Sequence, residues 1–186
     1  YHIPVLLDES VTALVGDALS GVYADATFGG GGHSREILSR LTQAGRLLAF
    51  DRDSDALANK PDDNRLVLIH NNFRFIHNYS LLETEDGLDG VLADLGVSSH
   101  QFDTPERGFS FRYSAPLDMR MNTLGEVTAA DVVNNYTQEE PERIFRIYGE
   151  VDNARKVSQL IVRARAGSQL STTDDLGRAI ADALPS

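Results

Sequence analysis

Four consecutive glycines, Gly29 to Gly32, follow the apolar run Val22-Tyr23-Ala24 and an aspartate, Asp25. Ordering so bare a backbone is entropically costly. Such a turn is expected where something approaches the main chain closely. A helix starting just after it would offer unpaired N–H groups and the positive end of its dipole to an anion. Two more aspartates, Asp51 and Asp94, each close another short apolar run, RLLAF and GVLA. Carboxylates so placed can accept hydrogen bonds from hydroxyls, amines or a reacting N–H. A plain strand-to-helix turn needs fewer glycines, so this grouping favours a ligand over that simpler use.

These residues need a scaffold that brings the ends of separate strands to one rim. Residues 22–24, 46–50, 66–70 and 90–93 read as short buried strands. Between them, 34–41 and 75–82 have helical spacing, and a helix can start within 53–58. Short apolar strands alternating with helices imply βαβ units and a parallel sheet, an α/β fold. Ligands bind such sheets beyond the carboxyl ends of the strands. Asp25 with the glycines, Asp51, Asn71-Asn72-Phe73 and Asp94 all fall there.

The alternation stops at Gly96. Residues 96–122 are rich in Gly, Pro, Ser and aromatics and show no period, and a stretch of that length is usually functional or disordered. Helical character follows. Thr128 with Asp131, Thr137 with Glu140, and Thr172 with Asp175 have the spacing of capping boxes, with Pro141 in a first turn. The longest helix is expected over 152–166, burying Ala154, Val157, Leu160, Ile161 and Ala164, with Gly167 as its C-cap. There is no internal repeat.

A net charge of -11 excludes nucleic-acid binding through bulk electrostatics, so any such role needs a local basic patch. All but Lys60 and Lys156 of the 17 cationic residues are arginines, the better side chain for bidentate phosphate and base contacts. The absence of cysteine excludes disulfides and thiolate metal sites and fits a reducing cytoplasm. No apolar run would span a bilayer, and YHIPVLLDES lacks the basic and hydrophobic regions of a signal peptide. The length suits one domain, or one with a small insert. His2, His70, His77 and His100 have no metal-site spacing.

Several ligands compete for the glycine turn. The dinucleotide pattern G-x-G-x-x-G is met by Gly29 and Gly31 but has Ser34 in third place, although Asp51 follows at the distance suited to a ribose. A dinucleotide-dependent oxidoreductase is therefore a weaker alternative. Asp51-Arg-Asp53-Ser-Asp55 starts like an EF-hand, but Ala56 and Asp62 stand where Gly and a bidentate Glu belong. The same stretch lacks the Gly-Thr continuation of haloacid-dehalogenase phosphatases; Asp53 and Asp55 suit a helix's first turn instead. An acid at Asp25 disfavours a pyrophosphate and suits a ligand with an ammonium group and a carboxylate. S-adenosylmethionine has both, plus a ribose and an adenine.

Together, DATFGGGGHS, AFDRD, NNF, DGVLADLGVSS and ERGFSF followed by PLDMRM resemble the bacterial small-subunit ribosomal RNA cytosine-N4 methyltransferases, the MraW family. The resemblance runs from about His2 to the end of the chain, and its last two blocks are the most specific. It implies a Rossmann-like class I S-adenosylmethionine-dependent methyltransferase core with an inserted all-helical domain. Residues 1–105 would be the N-terminal, cofactor-binding part of that core, and 106–186 the linking loop and helical insert. The family's pattern continues past Ser186 with PGG and SFHS segments that this chain does not contain, so the C-terminal part of the core is expected to be absent from it.

The resemblance implies that Gly31, Gly32, His33, Asp51, Phe73, Asp94 and Gln101 contact the cofactor. It also implies methyl transfer to N4 of a cytidine in the decoding region of 16S ribosomal RNA. The sulfonium is already an activated donor and needs no metal. The cytosine amine is a weak nucleophile, so the site should align it and accept its protons. Asp94 is the candidate acceptor, with Ser98 or Ser99 as helpers; the chain has Asp94-Leu-Gly-Val where many amino methyltransferases have Asp/Asn-Pro-Pro-aromatic. Arg107, Phe109, Phe111, Arg112 and Arg120, with Phe102 and Tyr113 interleaved, suit an unpaired RNA strand. About half of those aromatics are expected to pack internally instead. Arg155, Lys156, Arg163 and Arg165 form either an RNA-facing stripe or an ordinary solvated face. Expected partners are 16S ribosomal RNA or the small ribosomal subunit, with no membrane and no metal, and a homodimer as an option. The alternative from another class is a non-catalytic cofactor- or RNA-binding fragment.

Overall fold

Apolar runs too short for a full helix become the strands of the chain's first half. The computed structural model describes residues 4–184, so His2 lies outside it. It divides into one unit of Tyr1–Gly96 with Met121–Thr123 and another of Val97–Arg120 with Leu124–Ser186. The first unit runs α1 (Leu7–Val15), β1 (Val22–Asp25), α2 (Gly32–Arg40), β2 (Arg46–Asp51), α3 (Ser54–Leu57), β3 (Leu66–His70), α4 (Ile76–Glu83) and β4 (Gly90–Leu92). The four strands are parallel, in the order β3-β2-β1-β4. That is the strand order of a doubly wound α/β sheet. Asp25 pairs in register with Ala49 and Leu92, and Asp51 with His70, which levels the carboxyl ends of the strands.

Both faces of the sheet are covered, which is why its strands are continuously apolar rather than alternating. Tyr23, Leu47, Ala49 and Leu92 pack with Val11 and Val15 of α1 and Ile37 and Leu38 of α2. Ala24, Leu48, Phe50 and Ile69 face the other way, against Ile76 and Tyr79 of α4. The Phe50 and Tyr79 rings meet edge to face, 5.6 Å apart. Helix α1 was not expected from the sequence. Its N-cap, Leu6, is left-handed (φ 48°) and makes no side-chain cap bond, so the usual start signal is missing. Its only local cues are Asp8 and Glu9 in the first turn and the Val11–Val15 spacing.

The second unit comprises α5 (Ser99–Asp103), a 3-10 turn at Pro105–Arg107, α6 (Ala129–Asn135), α7 (Glu139–Ile147), α8 (Ala154–Arg165) and α9 (Thr173–Ile180). Leu117, Val133, Val157, Ile161 and Leu170 form its core. Ala154, Val157 and Ile161 of α8 are buried, joined by Ser158, while Leu160 and Ala164 are half-buried. Thr128–Asp131 and Thr172–Asp175 make the capping boxes expected of them. Thr137 does not. Capping there would put Pro141 at the first position that must donate a backbone N–H into the helix, and proline has none to give. Helix α7 begins later, with Gln138 as its N-cap. Only half a box survives, the Thr137 N–H donating to Glu140 Oε2 at 2.8 Å. Among the described residues no helix is long and apolar enough to cross a membrane.

Candidate functional site

The turn between β1 and α2 is built by side chains that hold its backbone from behind. Asp25 is fully buried. Its carboxylate accepts from the Ser34 hydroxyl at 2.6 Å and the Thr27 N–H at 3.0 Å. Burial pushes this carboxyl above its ordinary range, against the lowering effect of those bonds and of His33. Asp25 therefore organises the turn, and the expectation that it meets a ligand's ammonium group is corrected: no face of it reaches solvent. The Gly29 carbonyl accepts from Asn59 Nδ2 at 3.1 Å, and the Gly30 carbonyl from Arg35 Nη1 at 2.6 Å. Gly31 caps α2 with φ 74°. The N–H groups of Gly32, His33 and Ser34 open α2 and have no partner within the helix.

The glycines are not equivalent. A Cβ on Gly31 would lie 2.9 Å from Phe28 Cζ, and one on Gly32 would lie 2.2 Å from Pro4 Cγ. Gly29 has φ 51°. Gly30 is exposed, its φ is not positive, and an added Cβ would meet nothing within 4 Å. Packing inside the chain thus accounts for Gly31 and Gly32, and left-handed backbone for Gly29. Nothing internal accounts for Gly30.

Of the remaining rim residues of the first unit, Asp51 and Asp94 are hydrogen-bonded to this turn. Asp51, at the end of β2, accepts from the Gly29 N–H at 2.7 Å and from the Asp53 N–H at 2.8 Å. A carboxylate has about four acceptor positions, so roughly two remain for a ligand's hydroxyls. Asp94 follows β4; its N–H donates to Thr27 Oγ1 at 2.8 Å, tying the strand to the glycine turn. Its carboxylate is exposed and takes no hydrogen bond among the described residues. Phe73, just past β3, is 39% exposed, ring available, with Asn72 capping its 3-10 turn. His33 is buried, and its Nε2 meets the Val5 carbonyl at 3.2 Å, so what it offers at the turn is its backbone N–H.

In the second unit, Ser98 and Gln101 spend their side chains on each other's backbone. Ser98 Oγ accepts from the Gln101 N–H at 3.2 Å, and Gln101 Oε1 accepts from the Ser98 N–H at 3.1 Å. Ser99 is exposed at the start of α5. The ERGFSF and PLDMRM blocks hold one another. Gly108 (φ 71°) leaves only 2.4 Å between a would-be Cβ and the Pro116 carbonyl oxygen. The Met119 N–H donates to the Arg107 carbonyl at 2.9 Å, and Arg107 Nη2 to the Arg120 carbonyl at 2.9 Å. Arg120 itself chelates Asp118, Nη2 to Oδ2 at 2.6 Å, and reaches the Gly125 carbonyl at 2.8 Å. Arg107 and Arg120 thus brace the loop. Phe111 is 93% exposed, and Phe102, Arg112 and Tyr113 are exposed with it; Phe109 is half-buried. On α8, Arg165 donates to the Val133 and Tyr136 carbonyls and Lys156 to the Asp182 carbonyl, which leaves Arg155 and Arg163 on the solvated face.

The model of the MraW methylase family matches residues 1–186. The chain belongs to that family. It is 54% identical over 172 residues to the ribosomal RNA small subunit methyltransferase H of Bacteroides fragilis, covering 92% of this chain and 56% of that protein. It is 51% identical over 175 residues to the protein of the same name from Phocaeicola vulgatus (94% and 57%). With that of Flavobacterium johnsoniae the identity is 50% over 185 residues (100% and 61%). The chain thus spans somewhat more than half the length of these curated relatives.

Within this MraW chain, sequence reasoning overlooked the residues that shape the site from outside the motifs. Asn59 and Arg35 hold the Gly29 and Gly30 carbonyls, and Arg35 Nη2 also grips the Asn59 carbonyl at 2.6 Å. No local pattern marks Asn59, which reaches the turn from 30 residues away. Ser34 and Thr27 were legible only as neighbours of the glycines. Their polar side chains beside a buried aspartate are the signal that finds them.

Proposed function

We propose that this protein serves S-adenosylmethionine-dependent methylation of small-subunit (16S) ribosomal RNA in the cytoplasm, at N4 of a cytidine in the decoding region. The observation that carries the donor site is Gly30, a bare and open position that internal packing does not require. Family membership and the printed names of the relatives support the reaction class and the RNA. The first unit is read as the donor-binding core and the second as the helical insert.

The donor supplies a methyl group already activated by its sulfonium. This chain's residues bind and orient. The N–H groups of Gly32 and His33, with Gly31 shaping the turn, receive the donor's carboxylate. The free lone pairs of Asp51 accept from the ribose hydroxyls, and the exposed Phe73 ring lies against the adenine. Asp94 is both a donor contact and the group that accepts a proton from the acceptor amine. Gln101 is a further donor contact, and Ser98 and Ser99 assist with the acceptor. Phe111 and Arg112 meet RNA bases and phosphates, with Phe109 beside them, while Arg107 and Arg120 keep their loop in shape.

Calorimetric titration with S-adenosylmethionine, with NADH as control, tests the donor site. Incorporation of labelled methyl into 16S ribosomal RNA or small subunits tests the reaction. Donor binding without incorporation would leave a binding fragment. Binding of NADH alone would sink the methyl-transfer reading. For Asp94→Ala, weakened but measurable donor binding with turnover about 100-fold lower is expected of a residue that both contacts the donor and accepts the proton; loss of donor binding would make Asp94 a donor ligand only.

A further inference from the structure

A hollow of about 290 Å³ lies at the outer edge of the first unit's sheet, against the edge strand β3. Arg52, His70, Asn71, Asn72, Arg74, Phe75 and Asn122 line it. No carboxylate does, although the chain has 28 acidic residues against 17 Lys and Arg. None of Gly29 to Gly32, Asp51 or Phe73 lines it, so it is separate from the residues assigned to the methyl donor.

The cations here are uncommitted, unlike their neighbours. In the first unit, Arg40 pairs with Asp8 and Glu36, Arg46 with Glu83, and Arg65 with Asp63. Arg35 is taken by the Gly30 and Asn59 carbonyls. Among the described residues, Arg52 and Arg74 have neither a carboxylate nor a carbonyl partner for their guanidinium groups, and both are exposed. Arg74 is held over the Phe75 ring at 4.5 Å, which orients it without neutralising it. His70 Nε2–H donates to the Arg52 carbonyl at 3.1 Å, fixing the imidazole beside the hollow.

Asn71 and Asn72 turn their acceptors inward. Asn71 Oδ1 takes the Asn72 N–H at 2.7 Å, and Asn72 Oδ1 takes the Arg74 N–H at 2.9 Å. Their amide oxygens are occupied by backbone, and the Asn72 NH₂ remains to donate. The hollow therefore presents donors and positive charge. Planar guanidinium forks on a donor-rich wall match phosphate oxygens.

We propose that this hollow is a phosphate subsite that holds the backbone of the RNA strand; the RNA as its source rests on the function proposed above. The test follows amide and arginine Nε–H NMR signals of the 186-residue chain, wild type and Arg52→Ala/Arg74→Ala. Three probes are titrated separately: a ten-nucleotide cytidine-containing RNA, inorganic phosphate and S-adenosylmethionine. Both arginines are exposed and have no ion-pair partner among the described residues, so the variant should stay folded, its thermal melt lowered only by the lost Arg74–Phe75 contact. RNA is expected to shift Arg52, Arg74 and the amides of 70–75. The double variant should bind RNA about tenfold more weakly. Its log–log salt slope should be shallower by about 0.7 per arginine removed.

RNA that fails to bind, or binds without moving these signals and equally in the variant, overturns the proposal. So does a response to inorganic phosphate but not to RNA, which makes the hollow a free-anion site. A response of these residues to S-adenosylmethionine assigns the hollow to the donor and also overturns it. The two readings fail separately. S-adenosylmethionine shifting the amides of 29–33, with RNA silent at the hollow, sinks only the subsite. RNA at the hollow with no donor response anywhere sinks the methyl-transfer reading and leaves the subsite standing.

Discussion

Asp51 Oδ2 accepts the Gly29 N–H at 2.7 Å, so the acid at the end of β2 shapes the turn that follows β1. One carboxylate thereby has two tasks, holding Gly29 and, in the proposed function, receiving the donor's ribose. Removing it should cost both stability and affinity. A hydrogen bond to a charged group contributes about 1.5–3 kcal/mol, and Asp51→Ala loses two of them, partly offset by water at this half-buried position. We expect a lower melting temperature, faster hydrogen exchange at the Gly29 amide and no measurable donor binding. Unchanged exchange at Gly29 would show that the bond does not hold the turn.

The glycines give a sharper test because they separate packing from ligand. Gly31→Ala meets the Phe28 ring at a left-handed φ, and Gly32→Ala meets Pro4. Each should destabilise by about 1–3 kcal/mol. Gly30→Ala meets nothing and should stabilise by about 0.4–1 kcal/mol, by restricting the unfolded chain. If the donor's approach is what keeps position 30 bare, the same variant binds it at least about tenfold more weakly, a loss of about 1.4 kcal/mol. Urea midpoints and calorimetry on the three variants read both quantities. A Gly30→Ala protein with full donor affinity would remove the main support for a ligand at this turn.

Asp25 has a pH signature of definite sign. Burial raises its folded-state pKa above the ordinary 3.8, so between those two values the native state holds more protons than the unfolded chain. This group's contribution to stability is fully present below 3.8 and is lost as pH rises through the raised value. Asp25→Asn cannot titrate, yet its amide can still accept from Thr27 and donate to Ser34. The stability of the variant minus that of the wild type should therefore rise from about pH 3.8 upward and level off above the folded-state value. Carboxyls shifted the other way, such as Asp63 and Asp118 beside their arginines, cancel in the difference. Urea unfolding of both proteins across pH 3–7 measures it, and a difference that falls with pH contradicts the assignment.

Much of this fold is legible because its signals are local. The strands are apolar runs closed by Asp25, Asp51, Asn71 and Asp94, and the glycines mark the turn by composition alone. What escaped depends on partners distant in sequence. Arg107 and Arg120 read in sequence only as RNA ligands; that Arg107 also donates to the Arg120 carbonyl and Arg120 pairs with Asp118 shows only in the fold. Asp25 looks like a ligand-facing acid until β1 buries it. Asn59 and Arg74 belong to no motif, and although Arg52 lies in AFDRD and Asn71-Asn72 in NNF, only the parallel pairing of β2 with β3 brings 52 and 74 to one wall.

The helix caps of the second unit put this distinction into numbers. Thr172 and Thr137 look alike in sequence, each three residues before an acid. Thr172 Oγ1 accepts the Asp175 N–H at 3.1 Å and Asp175 answers the Thr172 N–H at 3.0 Å. At Thr137 only the reverse bond, from its N–H to Glu140, is made, and that bond does not involve the threonine side chain. Thr172→Ala should therefore cost about 1 kcal/mol. Thr137→Ala should change stability by less than about 0.5 kcal/mol, as for an ordinary surface substitution. Chemical denaturation of the two variants checks the contrast. Equal losses would mean that α7 is capped by Thr137 in solution, with Pro141 accommodated one position deeper in the helix.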